Sequence, residues 1–137
     1  MRLISIVLGT ASSKARIDGS QALLNYGYRF FSTETLFRAN EEIINAKTWK
    51  AENDSTSIGI VDDITITLPK GASKRLVYEN NLPDNIEGPI ISKQKIGSIS
   101  IKLDDETINT APLVALEDNP SGGILKQIQD TIQLWFE

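Results

Sequence analysis

Three short stretches hold residue types that could do chemistry. Ser92-Lys93-Gln94-Lys95 places a hydroxyl and an amine three positions apart, the pairing in which a lysine can take the proton of an attacking serine. That chemistry needs an apolar helix to bury the pair. Here the serine sits between strand-like segments and no such helix follows, so the match reads as chance. Asp62-Asp63 and Asp104-Asp105 could hold a cation. Each pair falls between two strand-like runs, where Asp also serves a turn through local hydrogen bonds. The chain has no His and no Cys. Their absence removes His-dependent triads, zinc proteases, thiol nucleophiles, disulfides and Cys-based metal sites. Catalysis would have to run on Ser, Lys, Tyr, Asp or Glu alone. No catalytic residue, metal ligand or cofactor is assigned.

The bulk numbers narrow the partners. The chain has 137 residues, 40% of them apolar and 23% charged, as in a soluble globular domain. Its net charge of −4 argues against nucleic acid, which needs a clustered positive footprint. No apolar run approaches the roughly 20 residues of a membrane span. The apolar start "LISIVLG" is too short for a secretory signal and flows into polar sequence.

The elements follow from periodicity. Arg2–Leu8 is β-branched and aliphatic and predicts a strand closed by Gly9, followed by a polar loop over 10–20. Asp18 or Ser20 could cap a helix over Gln21–Phe31. "LLNYGYRFF" within it carries two apolar stripes, Ala22, Leu23, Tyr26 and Phe30 on one side and Leu24, Tyr28 and Phe31 on another. Two stripes predict burial on two sides.

Residues 33–116 read as short strands punctuated by turns. These are Thr35–Ala39, Glu42–Trp49, Ser57–Val61, Ile64–Leu68, Arg75–Glu79, Ile96–Leu103 and Ile108–Leu116. Asp62-Asp63 predicts a hairpin between the third and fourth, and "DDET" turns the sixth into the seventh. "ENNLPDNIEGP" is a loop by composition. The whole is an antiparallel, sandwich-like β domain of about 85 residues.

"EDNPSGG" ends the β region with a glycine hinge. In "ILKQIQDTIQLWFE", Ile124, Leu125, Ile128, Ile132, Trp135 and Phe136 share an arc of about 120° at helical spacing. An amphipathic helix so placed either docks its apolar face on the β domain or lies flat in a membrane interface with Trp135 at headgroup level.

Several of these pieces together resemble a known family. "MRLISIVLG" with "LLNYGYRFF", the "LPKG" turn, "GSISIKLDDETINTAPLVALED", the "GG" and the amphipathic tail are similar to the C-terminal part of low-molecular-mass penicillin-binding proteins. These are serine D-alanyl-D-alanine carboxypeptidases of the penicillin-binding protein 5 type. The resemblance implies a preceding peptidase domain with Ser-x-x-Lys, Ser-x-Asn and Lys-Thr-Gly motifs, in which a lysine serves as base. None of these carries over. Tyr78-Glu79-Asn80, a Tyr-x-Asn variant of the second motif, precedes Ser92, which is the wrong order. No Ser-x-Asn is present, and Lys47-Thr48-Trp49 has Trp where the family has Gly.

The expected fold is therefore mainly β, with a strand and a helix before it and an amphipathic helix after it. The expected divisions are residues 1–31 as the end of a peptidase domain, 32–118 as the β domain, and 119–137 as hinge and membrane anchor. The resemblance implies a spacer that holds the peptidase domain above the outer face of the cytoplasmic membrane, in the periplasm, for work on peptidoglycan. The anchor residues would be Ile124, Leu125, Ile128, Ile132, Trp135 and Phe136. Leu23, Tyr26, Tyr28, Phe30 and Phe31 would form an interface orphaned from the peptidase domain, through which two copies could associate. The rival from another class is a free-standing β-sandwich binding module whose tail helix docks on its own domain.

Overall fold

The structure, a computed structural model, describes residues 1–134, and within the last helix not the side chains at 124, 125 and 132–134. The chain packs as two units, Met1–Leu36 with Thr65–Arg75, and Phe37–Ile64 with Leu76–Glu137.

In the first unit, helix α1 runs Ser13–Phe30, eight residues earlier than the periodicity indicates. The cap is Ser12, whose side-chain oxygen accepts the Ala15 N–H at 3.1 Å, rather than Asp18 or Ser20. The first half of α1 was unreadable as helix because its inward residues are small. Gly19 and Ser20 carry almost no hydrophobic signal, yet they are where α1 meets the N-terminal segment.

That segment, residues 2–8, alternates sides but joins no strand ladder, which corrects the expected strand. Leu3 packs on Gly27, Ser5 Oγ meets Ser20 Oγ at 2.6 Å, and Val7 packs on Gly19. The match is geometric. The extended backbone from 3 to 7 spans about 13 Å, and α1 rises about 12 Å from 19 to 27. The segment thus runs antiparallel along α1. A Cβ at Gly27 would collide with Leu3, so the close approach needs glycine there. The other side of the segment is bare: Ile4 and Ile6 are each 77% exposed.

α1 passes without a loop into β1, Phe31–Phe37. β1 pairs with β4, Ile64–Pro69, in a two-stranded sheet. Thr33 faces Thr67 (2.8 Å) and Thr35 faces Thr65 (3.3 Å) through their hydroxyls. On β4, Ile64 and Leu68 on either side of these threonines are buried and Ile66 between them is half-buried, which is the alternation the sequence shows. A 3₁₀ turn, Ala72–Arg75, ends this unit.

The second unit holds β2 (Glu42–Trp49), β3 (Ser55–Gly59), β5 (Leu76–Asn81), β6 (Ile86–Glu87), β7 (Lys95–Leu103) and β8 (Glu106–Ala115). They form a six-stranded sheet in the order β5-β7-β8-β3-β2-β6, antiparallel except for the short parallel β2–β6 pair. The predicted β3–β4 hairpin does not exist: β3 pairs with β2 and β8, and β4 pairs with β1. Asp63 is no hairpin turn residue, and its Oδ1 accepts the Ala39 N–H at 2.8 Å. The β7–β8 hairpin is as read. Leu103 opposes Glu106, and Asp104 and Asp105 between them have φ of 50° and 68°. A two-residue loop with both φ positive matches the twist of the strands, and Asp tolerates it. Ile58, Ile60, Ile90, Ile99, Ile101 and Leu113 make the centre of the core. The sheet and its loops lead to α2, Ile124–Leu134.

Candidate functional site

At one end of the six-stranded sheet, residues 50–54 and 118–122 are clasped together. Ala51 bridges Ser121 and Ile90 bridges Asn119. Glu52 N–H donates to Pro120 O at 2.7 Å. The buried Asn119 side chain is tied in through its oxygen and through its two amide hydrogens, which three acceptors share. It accepts the Asn53 N–H (2.9 Å) and donates to Asn53 O, Ser55 O and Thr56 Oγ1 at 3.0, 3.3 and 3.0 Å. Thr48 Oγ1 in turn donates to Thr56 Oγ1 at 2.8 Å. A buried network in which every member has a partner is rigid, because any alternative leaves a polar atom unpaired in a poorly solvated place.

Of the two glycines after the clasp, Gly122 is buried. Its N–H donates to Lys50 O at 2.8 Å, and a Cβ there would lie 2.7 Å from Ala51 O. A Cβ at Gly123 would meet nothing within 4 Å, and its carbonyl accepts the Gln127 N–H at 3.0 Å. α2 then settles on the 50–54 turn with its charged side. Lys126 Nζ donates to Glu52 O and pairs with Asp54 Oδ1, each at 2.7 Å. One turn along the helix, Asp130 Oδ2 accepts the Lys50 N–H at 2.7 Å. Asp130 is only 8% exposed, whereas Ile128 is 54% exposed.

Lys126 holds the Asp54 carboxyl below the ordinary value of 3.8, first through the hydrogen bond and then through its charge. Lys47 adds a smaller attraction, and slight desolvation opposes both. An open groove of about 810 Å³ runs along this seam, lined by Lys47, Trp49, Asp54, Lys126, Gln129 and Asp130 among others. The Lys47 ammonium lies 3.6 Å from the centroid of the buried Trp49 ring.

On the first unit, the aromatic side of α1 faces outward, which overturns the expected burial on two sides. Leu23, Tyr26, Tyr28 and Phe30 are 54, 58, 53 and 47% exposed. Phe31, at the start of β1, is half-buried, as is Leu24. Tyr26 stacks on Phe30 at 4.8 Å between centroids and reaches Phe31 at 6.3 Å. The five expected interface residues therefore include a contiguous ring cluster on one helix side, together with Tyr28.

The chemistry-bearing stretches take structural roles. Ser92 Oγ donates to Leu116 O at 3.1 Å, and Ser92 N–H donates to Asp118 Oδ1 at 2.6 Å. Lys47-Thr48-Trp49 closes β2, and Tyr78-Glu79-Asn80 lies on β5, where Glu79 pairs with Lys102 at 2.6 Å. Among the described residues no three of His, Cys, Asp or Glu converge as metal ligands. Of the six anchor candidates, Ile128 alone has a described side chain; those of Ile124, Leu125 and Ile132, and the whole of Trp135 and Phe136, lie outside the described residues. The charged mount of α2 escaped the sequence reading. Its signal was present, since Lys126 and Asp130 are spaced i, i+4 and share a helix side. Surface charges at that spacing usually serve each other, and these two serve the backbone of another loop.

These features define a class: a mainly β module that carries one helix before its strands and mounts another after them. Comparison with known proteins places it. Residues 31–121 match the family described as penicillin-binding protein 5, C-terminal domain. The chain is 35% identical to the D-alanyl-D-alanine carboxypeptidase DacA of Escherichia coli K12 and 28% identical to DacC of the same organism, in each case over 99% of this chain and 34% of the relative. The crystal structure of penicillin-binding protein 5 from Haemophilus influenzae superposes with a TM-score of 0.73 at 28% identity, covering 84% of this chain and 34% of that one. The chain belongs to the penicillin-binding protein 5 family and corresponds to its C-terminal domain. It spans about a third of the length of the curated relatives it matches.

Proposed function

We propose that this chain is the spacer and anchor of a serine D-alanyl-D-alanine carboxypeptidase. The β module would hold a peptidase domain above the outer face of the cytoplasmic membrane, in the periplasm, where it trims peptidoglycan stem peptides. The single observation that carries the anchor reading is the side by which α2 is mounted. Its charged side meets the β module, and Ile128, about 160–200° around the helix from Lys126 and Asp130, is open. A tail docked intramolecularly by its apolar face, as in the rival binding module, would cover Ile128. No described helix is long and apolar enough to cross a membrane, so attachment would be interfacial. The one lysine of α2 is engaged by Glu52 and Asp54. Binding would rest on apolar burial at about 25 cal/mol per Å² and be weak and reversible.

The bare side of segment 2–8 and the rings of α1 support a second part of the reading. They would pack on the peptidase domain of the same protein, and in its absence on a second copy. Flotation on phosphatidylcholine vesicles tests the anchor. The intact chain floats and the chain lacking 124–137 does not. Sedimentation of the intact chain away from the vesicles would refute it.

A further inference from the structure

We infer that the tail helix is clamped at a fixed rotation about its own axis, with Lys50 as the pivot of the clamp, rather than swinging on its glycines. This deepens the anchor reading, since it decides which side of α2 a membrane meets. Lys50 is the point where three constraints converge. Its N–H goes to Asp130 on α2, its carbonyl takes the Gly122 N–H, and its ammonium pairs with Glu87 of β6 at 2.6 Å. Its φ of 59° is a conformation that a lysine adopts only when its surroundings hold it there. The payoff of that conformation is visible: it turns the N–H toward the helix and the carbonyl toward the chain that leads into it.

Two contacts are the minimum that stops rotation. One contact lets a helix roll about the contact point. Two on the same side, a turn apart, resist both roll and tilt. Lys126 and Asp130 lie about 40° apart around α2 and about 6 Å apart along it. Both address backbone atoms of the 50–54 turn, Lys126 the Glu52 carbonyl and Asp130 the Lys50 N–H. Backbone acceptors and donors cannot rotate away as side chains can, and that turn is itself held by Asn119. Upstream, Gly122 is pinned: its N–H donates to Lys50 O, and its carbonyl accepts from Gln127 Nε2 on α2 at 2.8 Å. The apolar cohesion of an ordinary docked helix is non-directional and permits sliding. Charge-assisted hydrogen bonds are directional, and they leave the opposite side of the helix unused.

The clamp is measured without lipid, so its failure is distinguishable from a failure of anchoring. The chain has no Cys, so two nitroxides can be placed at will. Thr107→Cys on β8 and Thr131→Cys on α2 are both exposed. Pulsed electron–electron distance measurement on the labelled full chain is expected to give one narrow distribution. Adding Lys126→Ala and Asp130→Ala raises the undocked fraction by about tenfold or more and broadens the distribution. Gln129→Ala, on the same helix but not one of the two clamp residues, leaves it narrow. The near-ultraviolet signal of Trp49 reports that the β module stays folded in each variant. A broad distribution in the parent chain, or a narrow one in the double variant, would overturn the clamp.

Discussion

The two helices expose apolar side chains for different reasons. α1 is held by shape. Gly19 and Gly27 let an extended segment lie close, and Leu3 and Val7 fill the space. Leu23, Tyr26 and Phe30 flank those small residues and stay about half exposed, because the slender segment covers only the small ones. α2 is held by charge. Lys126 and Asp130 reach backbone atoms of a loop, and Ile128 stands on the far side. Close apolar packing of small residues specifies which side of a helix touches, but it adapts to small slips. Directional polar contacts to a stiff loop specify rotation as well. A helix meant to present a chosen side to a third body gains from the second kind of mount.

Removing the stiff loop should break the comparison most severely. Asn119→Leu leaves unpaired the Asn53 N–H and the carbonyls of Asn53 and Ser55 that it now serves. It should cost about 2–4 kcal/mol in urea unfolding of the second unit. The α1 helix should keep its circular dichroism in urea concentrations that melt the sheet. A loss under 0.5 kcal/mol would show that the clasp is not what holds the turn.

The mounts also explain what could be read in advance. β2 was legible to the residue as Glu42–Trp49, and the β7–β8 hairpin was legible from Asp104-Asp105, because alternation and turn chemistry are local. Long-range pairing was not. β3 and β4 are adjacent in sequence and look like a hairpin, but Ile58 and Gly59 find β8 instead. The first half of α1 was hidden for the same reason that it packs well, since Gly19 and Ser20 are small. The clamp of α2 was hidden because its partners are backbone atoms of Lys50 and Glu52, which leave no mark in residue types. Burial of Asp130 follows from where the loop is, not from any feature of "QIQDTIQ".

A smaller effect tests the shape-held side. Leu23→Ser with Tyr26→Ser removes half-exposed apolar area and the Tyr26–Phe30 ring contact, so the unfolding free energy should fall by about 1 kcal/mol. Self-association, read by light scattering against concentration, should fall to monomer in this variant while the parent chain associates. A parent chain that stays monomeric at high concentration would remove the reason for calling this side an interface.

The smallest effect is the pH response of the charge-held side. Asp54 has a lowered value when folded, so its contribution is complete above the ordinary 3.8 and is lost as pH falls through the folded value. The groups facing it are Lys126 and Lys47. The Asp54 contact should therefore leave α2 docking level from pH 8 to about 5, with a small loss below about 4 that Asp54→Asn abolishes. A loss centred between pH 6 and 7 would place the responsible group elsewhere.

Which side of α2 meets a membrane is read most directly from one label. A nitroxide at Ile128→Cys, read by collision with a water-soluble nickel complex, is open to solvent in the free chain, while a control at Ser121→Cys sits on the clasp. Adding phosphatidylcholine vesicles should shield position 128 and raise its collisions with oxygen, leaving position 121 unchanged. A label at 128 that stays as open to nickel on vesicles as off them would contradict the account.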